Sequence, residues 1–223
     1  MESLTWDGIT RAESLGEGAA RRRHDLADRA RAYDWPGVFA LLAEFSAEAL
    51  VNTWRPGGRS WFAPLHQAAH GGAPVEVAER LAGLGGWRLL RTADGEVAAD
   101  IARRRGHGHL ASALEPRPVF DIGGDELTAI QNGFHEVIRG RAADLVDREG
   151  LRLPEIGVLL ESVPGTTCWF SVPGMTGGFA YHLEQRDGAW ALVTESWSRV
   201  VGGSGQRHEV TAGGSRLVDE GFV

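Results

Sequence analysis

Two segments of the chain carry the same spacing. Ala63-Pro64-Leu65-His66-Gln67-Ala68 is followed by Gly72, and Val97-Ala98-Ala99-Asp100-Ile101-Ala102 is followed by Gly106. The step from Ala68 to Gly72 and from Ala102 to Gly106 is four in both, and the two glycines stand 34 positions apart. A repeated unit of this size cannot bury its own apolar face, so it folds only against neighbouring copies. An apolar helix face (Val75, Val77, Leu81) and a Gly85-Gly86 stop follow the first segment. Upstream, Ala30 through Leu42, with Val38, Leu41 and Leu42, fits the helix pair of an earlier copy. There Tyr33 stands where the glycine would be, 39 positions before Gly72, so that connection carries an insertion.

The segment at 63–68 differs from the ankyrin signature T-P-L-H-x-A only in Ala63 for Thr. Over residues 24–115 the chain therefore resembles an ankyrin-repeat protein with about three repeats. The resemblance implies inter-repeat connections that project as hairpin tips beside a concave helical face, both of which bind other proteins. It also implies that His66 orders the turn by hydrogen-bonding backbone. Residues 1–23, polar and rich in Arg and Glu, read as an N-terminal arm ahead of this stack.

Glu115-Pro116-Arg117-Pro118 stops the helical pattern, since two prolines in three residues end a helix. The boundary falls there, giving a repeat domain over 24–117 and a second domain over 118–223. In the second, apolar residues recur at helical spacing from Asp125 to Asp147, with Asp125 a fitting N-cap and Gly150 a fitting stop. This helix is expected to close the open end of the repeat stack. Strands are expected at Cys168–Val172, Phe179–Glu184, Trp190–Trp197, Gln206–Thr211 and Arg216–Val223, with Asp187-Gly188 and Ala212-Gly213-Gly214-Ser215 as hairpin turns. The fold class is α+β with two domains: a short ankyrin-type helical stack, then a long helix and an antiparallel β-meander.

Charge divides at the same place. Residues 1–117 hold 15 Arg and 15 acids, and residues 118–223 hold 8 Arg and 15 acids, so the net −7 belongs to the second half. That balance excludes a general nucleic-acid binder. The chain has no Lys, which excludes a phosphate-loop lysine, a Schiff base and a lysine base. One cysteine, Cys168, excludes an internal disulfide and a Cys-based zinc cluster. With no run of the ~18–20 apolar residues a membrane span needs and no signal peptide at Met1-Glu2-Ser3-Leu4, the sequence reads as cytoplasmic.

Trp and Arg combine contact area with hydrogen bonding and are enriched at binding hot spots. They gather in two inter-repeat connections, as Trp54, Arg55, Arg59 and Trp61, then as Trp87, Arg88 and Arg91. These seven residues are the candidate partner site; the alternative packs the tryptophans into a neighbouring repeat and leaves the arginines solvated. In the second domain Glu195, Trp197, Arg199 and His208 are a candidate ligand pocket, Glu and His supplying an acid and a base. His66 and His70, at i and i+4, are half of a zinc site, but Gln67 replaces the glutamate base of the zinc-protease pattern. The repeat resemblance makes His66 and His107 structural instead. Arg103-Arg104-Arg105 reads as a solvated helix face paired with acids, and the glycine-rich segments at 171–179 and 202–208 as hairpin turns.

The expected function is binding of another protein through the repeat loops and concave face, without enzymatic activity, metal or cofactor. The alternative places an enzyme or small-ligand site in the second domain, with the repeats recruiting its target. Dimerisation through an open edge strand is left open.

Overall fold

A computed structural model of the chain describes residues 3–186, 188–198 and 204–221. The chain forms two compact units. One runs from Thr10 to Pro116; the other joins the residues up to Ile9 with those from Arg117 onward.

The first unit is built from three successive helix pairs. They are α1 (Glu17–Arg31) with α2 (Trp35–Glu44), α3 (Pro64–Gly71) with α4 (Val75–Gly83), and α5 (Ala98–Arg104) with α6 (Ala111–Leu114). Local chemistry sets their ends. The Asp34 carboxylate accepts from the Gly37 amide at 3.0 Å and caps α2, with Pro36 in its first turn. Glu17 at the start of α1 and Arg29 and Arg31 at its end each complement the helix dipole. The leading helices stack in order, α3 touching both α1 and α5, and α4 packs against α6. Fully buried Ala68, Ala69, Ala98 and Ala102 keep these contacts close, and Leu26, Val38, Leu65, Leu81, Ile101 and Leu114 fill the space between layers.

Each leading helix ends in the same backbone gesture: Tyr33 at φ 59°, Gly72 at φ 63° and Gly106 at φ 77° all enter the left-handed region. The second feature repeated at 34 residues lies at the helix starts. His66 Nδ1 accepts from the Ala63 amide at 3.1 Å, and Asp100 Oδ2 accepts from the Val97 amide at 3.3 Å. Each side chain reaches back to satisfy an amide that the helix leaves open.

The second unit is a six-stranded sheet in the order β1-β2-β3-β4-β5-β6, backed by one helix. Its strands are β1 (Ser3–Trp6), β2 (Thr167–Val172), β3 (Gly177–Arg186), β4 (Ala189–Ser198), β5 (Ser204–Thr211) and β6 (Gly214–Gly221). β2 to β6 are an antiparallel meander, as the alternation of apolar residues predicts. Asp187, expected in a turn, lies outside the described residues; its neighbour Gly188 has φ 83°.

β1 corrects the expectation of an N-terminal arm. It pairs in parallel with β2, Ser3 opposite Thr167 and Trp6 opposite Phe170. The Trp6 ring is buried, its Nε1 donates to the Arg152 carbonyl at 2.9 Å, and the Arg152 amide donates to the Gly8 carbonyl at 2.8 Å. Nor does the first helix wait for His24; it begins at Glu17.

The long helix α7 spans Gly124–Glu149 and stops at Gly150, φ 60°, with a kink at Ala142. Its apolar face packs on the sheet of its own unit. The Phe134 ring lies 4.8 Å from Tyr181 and 6.4 Å from Phe179. At Gly133 the helix comes so close to β5 that a Cβ would sit 2.7 Å from Val210 Cγ1. The apolar stripe that the sequence assigned to the end of the helical stack is thus taken up by this sheet.

Candidate binding site

A cavity of about 420 Å³ opens on the helical unit, lined by α1, the turn that follows it, the loop ahead of α3, and α3. α1 contributes Ala27 and Arg31, one turn apart on one face; α3 contributes Gln67 and His70, three apart on one face. The loop contributes Arg55, Gly58, Arg59, Ser60, Trp61 and Phe62. It is fastened on both sides, by the Gly57 amide on the Thr10 carbonyl at 2.6 Å and the Ala93 amide on the Ser60 carbonyl at 2.9 Å.

The lining contains three arginines and no carboxylate. Arg55 is held in an ion pair with Asp28. Arg31 and Arg59 are exposed and have no carboxylate partner among the described residues. Tyr33 Oη lies 3.1 Å from His70 Nδ1, and Phe62 meets the His70 ring edge-on at 5.9 Å. Burial, followed by the charges of Arg105, Arg104 and His107, holds the His70 pKa below the ordinary histidine value of 6.5. The imidazole is therefore neutral at pH 7, and the phenol can donate to it.

Two aromatic residues of this lining sit in the left-handed region, Tyr33 at φ 59° and Trp61 at φ 54°. For bulky side chains that conformation costs on the order of 1–2 kcal/mol each. Such strain persists where the surroundings over-determine it and concentrates at functional positions.

Of the seven residues the sequence put forward as a partner site, the structure brings Arg55, Arg59 and Trp61 together here. Trp54 belongs to the core, 3% exposed, with its ring 6.3 Å from Trp61. The other three lie apart from the cavity and fasten connections. The Trp87 amide donates to Asn52 Oδ1 at 2.8 Å, and Arg88 Nε donates to the Ala113 carbonyl near the end of α6 at 2.9 Å. Arg91 donates to the Gly95 carbonyl at 2.7 Å. Residue type did not single out Arg31, and it raised Gln67 and His70 only in connection with a zinc site and Tyr33 only as a departure from the repeat. The available signal was Tyr33, a bulky residue at a position where the other copies have glycine.

The remaining candidates are placed as follows. His66 uses both ring nitrogens, the second on the Leu90 carbonyl at 2.9 Å, and no group of three or more His, Cys, Asp or Glu suited to a metal occurs among the described residues. His107 and His109 bond the carbonyls of His70 and Ala73 at 3.3 and 3.0 Å, tying the third pair to the second. Arg103 pairs with Asp100, and Arg104 grips Glu96 with two bonds of 2.7 and 2.8 Å. That grip holds the Glu96 carboxyl below its usual range.

In the sheet unit Glu195 and Trp197 border one cavity, of about 240 Å³, with Arg207, Asp219 and Glu220, while His208 borders another. Strand alternation puts Glu195 and Trp197 on the face away from α7, with Trp197 stacked on Trp169 at 4.7 Å and Glu195 3.7 Å from Arg207. His208 pairs opposite Thr194 and turns toward α7, where it lines a cavity with Glu136, Arg141 and Gln206. Burial and the Arg141 charge lower its pKa. Glu195 and His208 thus form no acid–base pair, and Arg199 lies outside the described residues. Cys168 is buried and its thiol is pushed up to about 11, far from the thiolate a nucleophile needs. No described helix is long and apolar enough to cross a membrane.

No family model matches the chain, and no curated protein matches it. Among solved structures, the complex of the Bd0816 predatory endopeptidase from Bdellovibrio bacteriovorus with the immunity protein Bd3460 contains a similar chain. The similarity is 22% identity with a TM-score of 0.35, over 55% of this chain and 66% of that one. A likeness of that size carries no argument about fold or function.

Proposed function

We propose that residues 24–117 are an ankyrin-type stack and that the protein is a binding or adaptor protein. It holds another protein through the cavity edged by Arg31, Arg59, Tyr33 and Trp61. The stack reading is supported by three helix pairs that share a left-handed residue after the leading helix and, in two, a side chain reaching back to the helix start. The binding reading rests on one observation: two unpaired arginines and two strained aromatic residues border the same cavity. Arginine and large aromatics are the side chains that carry most interface energy when seated in a pocket.

Affinity purification from the native cell, comparing wild type with the Arg31→Ala/Arg59→Ala double variant, tests the reading. Both positions are exposed, so folding, followed by circular dichroism, should be unchanged. The partner should be retained by wild type and reduced at least ten-fold on the variant, which corresponds to about 1.4 kcal/mol or more. Equal recovery on both proteins would overturn the assignment.

A further inference from the structure

Resting on that reading, we infer that the cavity takes an acidic segment of a partner protein, with one side-chain carboxylate seated between Arg31 and Arg59. Charge gives the sign of the ligand: three guanidinium groups and no carboxylate line the cavity, although the chain as a whole carries −7. A guanidinium presents parallel N–H donors that match the two oxygens of a carboxylate. Arg55 is already committed to Asp28, so Arg31 and Arg59 are the pair available.

Helix polarity then separates a carboxylate from a phosphate. Arg31 is the last residue of α1, and His70 lies in the last turn of α3. Both helices bring their C-terminal, partially negative ends to the cavity. Phosphate sites are typically built the other way, on helix N-termini and runs of backbone amides. A singly charged carboxylate is penalised less here than a doubly charged phosphate. The rings of Tyr33, Trp61 and Phe62 offer apolar walls to the methylenes that carry the carboxylate, and the Gln67 amide adds a neutral donor. A volume of about 420 Å³ accommodates one side chain with its flanking backbone, not a folded surface.

Fluorescein-labelled hexaglutamate, titrated against the full-length protein by fluorescence anisotropy, is the probe. Hexaglutamine is the uncharged control, and glutarate and inorganic phosphate are competitors. Saturable binding of hexaglutamate is expected, with no binding of hexaglutamine. The Arg31→Gln/Arg59→Gln variant should bind at least ten-fold more weakly, and Arg139→Gln/Arg216→Gln, exposed in the sheet unit, should bind as wild type. Equal weakening by both variants would reduce the effect to general charge attraction and overturn the site. Displacement by phosphate or glutarate at concentrations equal to the peptide would assign the cavity to a free anion and overturn the acidic-segment inference.

Failure here is distinguishable from failure of the protein-partner reading. A native partner lost from the Arg31→Ala/Arg59→Ala protein, with no hexaglutamate binding, removes the acidic chemistry and leaves the partner. Hexaglutamate binding with no partner retained from the cell removes the partner reading.

Discussion

Tyr33 is held at φ 59° with 43% of its surface exposed, at a place where the next two helix pairs use glycine. Its ring fills the space beside Gly71, where a Cβ would lie only 2.3 Å from the ring edge. Strain of this kind concentrates at functional positions, and the ring borders the cavity beside His70. Tyr33→Gly should raise stability by about 1 kcal/mol, by relieving the left-handed strain, while weakening acidic-peptide binding several-fold. Thermal melts and anisotropy read the two effects separately, and a destabilised variant would show that Tyr33 is there for packing. The same scale explains what residue type could and could not reveal. Trp54 and Trp61 look alike in the sequence, seven positions apart in one loop, yet one is core and the other lines a cavity. What divides them is backbone conformation, and a sequence does not display φ.

At the scale of elements, α7 and the sheet depend on close approach and on neutral histidines. Gly133→Ala would force its methyl against Val210 Cγ1 and should cost about 1–3 kcal/mol, as overpacking does. Combined with Val210→Ala, the loss should be smaller than the sum of the two single losses, because the collision is shared. Additive losses in a double-mutant cycle would refute the contact. His135 is bonded through Nε2 to the Pro154 carbonyl at 2.8 Å, and burial holds its pKa below the ordinary 6.5. The unfolded chain therefore takes up a proton before the folded one does. The stability contributed is complete above about pH 6.5 and is lost as pH falls through the folded value. His208, lowered by burial and Arg141, acts in the same direction in the same unit. Melting temperature should fall between pH 7 and pH 5, and His135→Gln should flatten that slope; an unchanged slope would place the titration elsewhere. The elements themselves were largely legible in the sequence. Periodicity gave α7 to within two residues at each end, and alternation gave β2 to β5 to within two residues at each end. The four-residue β1 was not legible, because nothing in Ser3-Leu4-Thr5-Trp6 points to a pairing partner beyond residue 160.

For the whole molecule, the sheet unit is discontinuous in sequence: its first strand precedes the helical unit and its remaining strands follow it. The Pro116–Pro118 break marks only the second of the two crossings. The first, between Ile9 and Thr10, carries no proline or charge signal. Trp6→Ala should therefore destabilise the C-terminal sheet by about 3–5 kcal/mol, the usual cost of removing a buried aromatic ring. Hydrogen exchange would show lost protection over 167–183, while amides of α3 and α5 keep theirs. Protection lost across 64–104 as well would show the two units to be a single cooperative body.

The same connectivity sets an order of events during synthesis. The first strand is made before the helical unit, yet Thr167, which it must meet, is made only after that entire unit. At about 5–20 residues per second, that wait lasts on the order of ten seconds or more. A helical stack of local contacts folds well within it. By then the intervening chain has become a folded body rather than a loose loop, and the entropy of bringing Ser3 to Thr167 is correspondingly smaller. Until that moment Trp6 is an unburied ring on the N-terminal side of the helical unit, and this nascent interval is when the protein is most open to chaperones and to misassociation.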